Sequence, residues 1–227
     1  MREGPPLRTI QALLTDLDGT LIHSVDPICD ALHECFLHVG ATPPAKQQLV
    51  DMFGLPVEVM LTELSEVQPS ETARIAEFIA EYKRQYPVHM EQARLIPGAL
   101  ETLRALYAQG VKICLITSER RQNAAHILHR LGLDKYIHFI ISRDDVEHFK
   151  PHPEPLLRAA ALVGEGPSAC AYIGESPFDI AAGVASGVYT VAVPSGTWSR
   201  SSLLEQHPHA FIQNICDLTG LVAGPNI

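Results

Sequence analysis

Two aspartates one residue apart, Asp16 and Asp18, follow a short apolar run in the stretch IQALLTDLDGT. Ile10, Ala12, Leu13 and Leu14 fit a buried strand better than a helix, because Gly19 ends the run within a few residues. Side chains alternate across a strand, so Asp16 and Asp18 point the same way and place two negative charges in one small volume. That is costly unless the pair shares a cation. Hard carboxylate oxygens suit Mg²⁺, which keeps several waters and takes few protein ligands. Beside such an ion Asp16 stays ionised and can attack as a nucleophile, since carboxylates accept phosphoryl groups. Asp18 is placed to exchange protons as general acid and base. On these two residues alone, a turn capped by surface acids is an equally ordinary outcome, because turns favour Asp and Gly.

Three later stretches offer partners. Val111, Ile113, Leu115 and Ile116 lead into Thr117 and Ser118, whose hydroxyls and following N–H groups suit phosphate oxygens if a helix starts there. A plain helix cap is the competing reading. Lys150 stands in FKPHPEP, beyond an expected strand at 139–142. Alone it reads as a solvated charge, but a parallel sheet would bring its loop to the edge that carries Asp16. In YIGESPFDIAAG, Glu175 and Asp179 lie four apart after a strand-like run. They would add a metal ligand and the group that orients it, or merely stand near a helix N-terminus.

The elements that must position these residues follow from periodicity. Ile28, Leu32, Cys35 and Val39 recur at helical spacing and Gly40 stops them. Lys46 to Phe53, Pro56 to Leu64 and Ser70 to Tyr86 read as further helices, the last ended by Pro87, so 24–92 is helical throughout. From Leu95 onward helices alternate with strands at Val111 to Ile116, Phe139 to Ser142, Cys170 to Gly174 and Tyr189 to Val193. Repeated βα units of this size predict a parallel sheet covered on both faces, and in such sheets ligands bind beyond the carboxyl ends of the strands. An all-helical block placed straight after the first strand is most simply a lid over that edge.

At this point the motifs support a resemblance. LLTDLDGTLIHS resembles the first motif of the haloacid dehalogenase superfamily, in the DxDGT form of its phosphatases; the dehalogenases proper lack the acid that Asp18 supplies. Thr117 takes the place of the second motif, with Ser118 where many relatives have Asn. FKPHPEPLLRAA resembles the third, whose lysine, here Lys150, balances the nucleophile and the phosphoryl group. YIGESPFDIAAGVASG resembles the fourth, usually GDxxxD, with Glu175 replacing its first Asp. With PVHMEQARLIPGALETLRAL and the ending PHAFIQNICDL, the resemblance runs from about Ile10 to Leu221 and is to the phosphoglycolate-phosphatase and pyrophosphatase-like branch.

The resemblance implies a Rossmann-like α/β fold, a parallel sheet with helices on both faces and an inserted all-α cap. The core would comprise 8–23 and 93–221, and the cap 24–92. It implies a Mg²⁺-dependent phosphohydrolase that cleaves a small phosphate ester or anhydride through a phospho-aspartate on Asp16. Asp18 would act as acid and base; Gly19, Thr20, Thr117, Ser118 and Lys150 would bind the phosphoryl group; Asp16, Asp18, Glu175 and Asp179 would hold the metal. A sugar phosphomutase of the same superfamily, and an inactive binding protein on this fold, are the alternatives. His23 beside the cap hinge, Arg120 and Arg121, Trp198, and the cap loop Gly54, Leu55 and Pro56 are secondary candidates for substrate contact.

Bulk properties set outer limits. The 227 residues suffice for one large or two small domains, and 46% hydrophobic with 19% charged residues is ordinary for a soluble globular chain. A formal charge of −9 and the lack of a Lys/Arg cluster argue against polymeric nucleic acid as a partner. No signal-peptide core and no stretch of membrane-spanning length is evident, so a soluble, cytoplasmic protein is expected. The five cysteines have no CxxC spacing and fit neither a disulfide framework nor a zinc site; Cys114 and Cys170 read as core packing. Of the eleven histidines, His126 and His129 share a helical face but lack further ligands.

Overall fold

The structure is a computed structural model that describes residues 8–65 and 72–225. In chain order the elements are β1 (Arg8–Thr9), β2 (Ala12–Thr15), β3 (Ile22–His23), α1 (Val25–His38), α2 (Lys46–Val50), α3 (Val57–Leu64), α4 (Thr72–Met90) and β4 (Arg94–Leu95). There follow α5 (Ala99–Ala108), β5 (Lys112–Ile116), α6 (Arg121–Arg130), β6 (Phe139–Ile141), α7 (Glu154–Val163) and β7 (Cys170–Gly174). The chain closes with α8 (Pro177–Ser186), β8 (Tyr189–Ala192), α9 (Arg200–Leu204), β9 (Ala210–Phe211) and β10 (Val222–Ala223).

Six strands form one sheet in the order β6-β5-β2-β7-β8-β9, every neighbouring pair parallel. All four residues of β2 are buried, as its ALLT sequence requires of a strand covered on both faces. Alternation sends Leu13, Ile113 and Ile173 into one packed cluster and Leu14, Cys114, Cys170 and Tyr172 into the other. The first cluster takes Leu103 and Leu106 of α5 with Ile127 and Leu128 of α6; the second takes Leu156, Ala159 and Val163 of α7. Because the strands are parallel, the loops after β2, β5, β6, β7 and β8 all open on one edge.

Helices α1 to α4 occupy the span between β3 and β4, which pair antiparallel through Ile22 with Leu95 and His23 with Arg94. The chain thus leaves the sheet and returns along adjacent strands. Phe36 of α1 packs on Phe78 of α4 with ring centres 4.8 Å apart. Phe36, Leu61, Phe78 and Tyr82 belong to the same packed cluster as Leu13 and Ile113, so the apolar interior runs unbroken from sheet to helices.

Three expectations need adjustment. Helix α4 does not end at Pro87 but runs to Met90. Pro87 removes one backbone hydrogen bond, at a cost of roughly 3 kcal/mol inside a helix. Tyr86 and Met90, each 3% exposed, offset it, since burying such side chains contributes about 1.5–3 kcal/mol apiece. Helix α2 stops at Val50 rather than Phe53, because Gly54 at φ +105° turns the chain and lets Phe53 point inward at 4% exposure. The short pairs β1–β10 and β3–β4, helix α9 and strand β9 have too few residues for periodicity to reveal. The helix start expected at Ser70 lies outside the described residues. Among the described residues no helix is long and apolar enough to cross a membrane.

Candidate active site

Asp16 is the first residue beyond β2, and its N–H continues the ladder to the Ile173 carbonyl at 3.0 Å. The chain then turns tightly: Thr20, Leu21 and Ile22 all donate to the Leu17 carbonyl, and Gly19 takes φ +77°. The turn folds Thr20 back so that its hydroxyl donates to Asp16 Oδ2 at 3.2 Å. Gly19 has a second duty. A Cβ there would stand 2.8 Å from Glu175 Cδ, so the glycine leaves the space that the longer acid fills.

Lys150, only 3% exposed, reaches in from the loop after β6. Its Nζ donates to Asp16 Oδ1 at 2.7 Å and to Asp179 Oδ1 at 2.6 Å. Asp179 Oδ1 also accepts the Tyr172 hydroxyl at 2.6 Å, while Oδ2 accepts the Ser176 hydroxyl at 2.6 Å and the N–H groups of Ser176 and Glu175 at 3.0 and 3.3 Å. Both its oxygens are therefore committed, and Asp179 fixes Lys150 and the β7–α8 loop in place. Glu175 Oε2 accepts the Ser195 hydroxyl from the loop after β8.

The electrostatics are one-sided. Burial, then Asp179, pushes the Asp16 carboxyl up to about 7 against the pull of Lys150. Burial, then the Glu119 charge, pushes Asp18 up to about 7. Burial holds Glu175 well above the usual carboxylate range. Burial also opposes ionisation of Asp179, yet Lys150 wins and holds it below its ordinary value. Asp16, Asp18, Glu175 and Asp179 thus face a single ammonium, and Asp18 Oδ1 is buried with no hydrogen-bond partner. A divalent cation held by carboxylate oxygens fits this excess of charge and this orphaned acceptor.

Asp16, Asp18, Ser118, Lys150, Glu175 and Asp179 line one cavity of about 40 Å³, roofed by Phe53, Gly54 and Leu55 from the helical segment. The Ser118 hydroxyl is drawn to that roof, donating to the Gly54 carbonyl at 2.6 Å. Thr117, 4% exposed, accepts the Glu119 N–H at 3.1 Å and lines a small adjoining space with Ser118 and Lys150. Gly19 and Thr20 do not line the central cavity; they shape the turn and hold Asp16.

Of the secondary candidates Gly54 and Leu55 reach the cavity, and the others stand apart from it. His23 is exposed on β3, in a shallow surface hollow with Asp26 and Ser195. Arg120 pairs with Glu58 of α3 at 2.8 Å and Arg121 with Asp145 at 2.7 Å. Trp198 packs edge-on against Phe178 at 6.0 Å, as a loop anchor does. His126 and His129 face Glu91 and Asp134 on the surface. Periodicity and motif reading missed Tyr172, Ser176 and Ser195. Ser195 was findable, since it follows β8 on the same sheet edge; Tyr172 was not, because only packing shows where a strand tyrosine's hydroxyl ends.

Residues 13–193 match the family described as haloacid dehalogenase-like hydrolase. The chain is 30% identical over 219 residues to pyrophosphatase PpaX of Bacillus cereus strain AH820, covering 96% of this chain and 98% of that one. Among solved structures it resembles a hydrolase from Pseudomonas syringae at 26% identity and TM-score 0.82, over 92% of this chain and 96% of the other. A predicted phosphoglycolate phosphatase from Haemophilus somnus 129pt, at 22% identity and TM-score 0.80 over 93% and 97% of the two chains, shares the fold.

Proposed function

The chain belongs to the haloacid dehalogenase-like hydrolases and is a phosphatase of that family, and from that premise we propose that it hydrolyses a small phosphate ester or anhydride with Mg²⁺ through a phospho-aspartate on Asp16. The observation that carries this reading is the buried Asp16–Lys150–Asp179 bridge beside the unpartnered Asp18 Oδ1. Asp16 attacks phosphorus, with Thr20 and Lys150 fixing the direction of its carboxylate. Asp18 gives a proton to the leaving oxygen and later takes one from the water that releases phosphate. Lys150, Thr117 and the N–H groups after it stabilise the charge on the transferring group. Asp16, Asp18 and Glu175 would hold Mg²⁺, which supplies charge neutralisation and a fixed approach for the phosphoryl group. Asp179 keeps Lys150 and the Glu175 loop in register for both tasks.

We read 24–92 as a cap domain on the 8–23 and 93–221 core, hinged at the β3–β4 pair. The contacts of Ser118 with Gly54 and of Arg120 with Glu58 support this, since both tie the helices to the loop after β5. The test is phosphate release from a panel of small phosphate compounds with Mg²⁺ and with excess chelator. Activity that requires the metal and vanishes in Asp16→Asn supports the assignment; full activity in chelator, or in Asp16→Asn, overturns it.

A further inference from the structure

Next to the central cavity lies a second chamber of about 590 Å³, between α3, α4 and the start of α6. The two share Val57, Tyr82, Ser118 and Glu119 as walls, so this chamber adjoins the space beside Asp16. Tyr82 and Tyr86, one turn apart on α4, are each 3% exposed; neither hydroxyl closes a well-formed hydrogen bond, and that of Tyr86 is turned to the Glu119 carboxylate. Their rings stand 5.4 Å apart, tilted by 49°. A buried hydroxyl left unpaired costs about 1–3 kcal/mol, so these two require something in the chamber to bond with. A ligand that settles against them gains most if it offers such hydrogen bonds.

The charges on the walls narrow the choice. Glu119 presents its carboxylate where the chambers meet; Asn123 Nδ2 donates to Oε2 at 2.9 Å, leaving Oε1 as an acceptor. The guanidinium groups of Arg120 and Arg143 are both turned to Glu58, Asp144 stands 3.6 Å from Arg120 as the second countercharge, and Lys83 is an exposed cation on the wall. A leaving group that is itself an anion would meet the Glu119 charge and two arginines that are already neutralised. A group with neighbouring hydroxyls gains instead, since a carboxylate accepts from such hydroxyls as it does from a ribose, and phenols both donate and accept. Val57, Ile79, Met90 and Ile127 provide apolar walls for the faces of a ring.

Resting on the phosphohydrolase reading, we infer that this chamber receives the leaving group, and that the group is an uncharged hydroxyl-bearing ring, a sugar or a nucleoside, held by Tyr82, Tyr86 and Glu119. The volume is within the roughly 300–1,000 Å³ usual for small-molecule sites. Inorganic pyrophosphate and short acidic esters such as phosphoglycolate are then poor substrates, although similar proteins carry those names.

The experiment compares kcat/KM with Mg²⁺ for hexose and pentose phosphates, nucleoside 5′-monophosphates, pyrophosphate, phosphoglycolate and acetyl phosphate. At least one sugar or nucleoside phosphate exceeds pyrophosphate and phosphoglycolate by about tenfold or more, and the presence or absence of a base in the best substrate separates the two sources. Tyr82→Phe and Tyr86→Phe each lower the ratio of that substrate to acetyl phosphate by about tenfold, mostly through KM, as loss of a hydrogen bond to the ring requires. Preference for pyrophosphate or phosphoglycolate, or ratios unmoved in both variants, overturns the inference. Calorimetry on Asp16→Asn separates the two readings. If no phosphate is hydrolysed yet a ring phosphate binds, and binds about tenfold more weakly once Tyr86→Phe is added, the chamber assignment stands and the reaction assignment falls. If acetyl phosphate is hydrolysed but no ring phosphate is preferred or bound, the reverse holds.

Discussion

Asp18 Oδ1 apart, the sheet edge pairs the polar atoms around its carboxylates, whereas the helices above it leave two hydroxyls unpaired. At the edge, Lys150, Asp179, Thr20 and Ser176 tie one another down with short bonds, the longest of them the 3.2 Å contact of Thr20 with Asp16. Under α3 and α4, the hydroxyls of Tyr82 and Tyr86 close no well-formed hydrogen bond. The first arrangement is preorganised: its groups are set for any phosphoryl group and need not move when charge develops. The second is complete only with a ligand, and its demands depend on which ligand arrives. On the proposed reading, reaction and selectivity fall in parts of the chain with different packing constraints.

Substitutions at the edge should cost most. Asp16→Asn should lower kcat by on the order of 10³-fold or more because the attacking charge is lost, while thermal unfolding shifts little, since Lys150 keeps Asp179 and burial already opposes the Asp16 charge. Near wild-type turnover would mean that the edge is not where the bond breaks. Lys150→Met strands Asp16 and Asp179 against each other, and breaking a buried pair in this way costs roughly 3–5 kcal/mol, measurable by urea unfolding. An unchanged midpoint would show that the edge is less tightly coupled than its geometry requires.

Glu175 sharpens the comparison at the boundary of the edge cluster. On the proposed metal role its charge is needed there, while the length of the side chain is negotiable. Glu175→Gln should raise the Mg²⁺ requirement steeply; Glu175→Asp should retain substantial activity and shift the preference between Mg²⁺ and Mn²⁺. Activity titrated against each metal decides it, and an unaltered curve for Glu175→Gln removes this residue from the metal site. Gly19→Ala forces a Cβ to 2.8 Å from Glu175 Cδ at a φ of +77°, which should cost at least about 1–2 kcal/mol in the same unfolding assay. The smallest effect belongs to the helices. Glu58→Gln weakens a partly exposed tie from α3 to Arg120 and Arg143, and should change stability by about 1 kcal/mol or less. A larger loss would mean that the helices are held down by charge rather than by the apolar cluster they share with the sheet.

Some of this was readable from residue order alone. The run before Asp16, the β-branched run before Thr117 and the strand-like run before Glu175 each announce a buried strand, and parallel strands carry their following loops to one edge whatever the intervening chain does. Asp16, Asp18, Lys150 and Glu175 could therefore be placed together before any coordinate was known. Local pattern also located the helical block between the first strand and the rest.

Other features arise only when distant segments pack. The saturation of Asp179 depends on Tyr172 and Lys150, which lie on separate elements. The fit of Glu175 depends on empty space at Gly19, and its second partner, Ser195, comes from a loop 20 residues further along. Helix α4 passes Pro87 because Tyr86 and Met90 are buried, a gain that no local propensity contains. The same burial strips the two tyrosine hydroxyls of water and leaves them facing a chamber. Sequence by itself determined which chemistry the edge supports, since that follows from residue type and strand polarity. Tertiary packing decided which polar atoms were left unpaired, because desolvation belongs to the assembled interior and to no single stretch of chain.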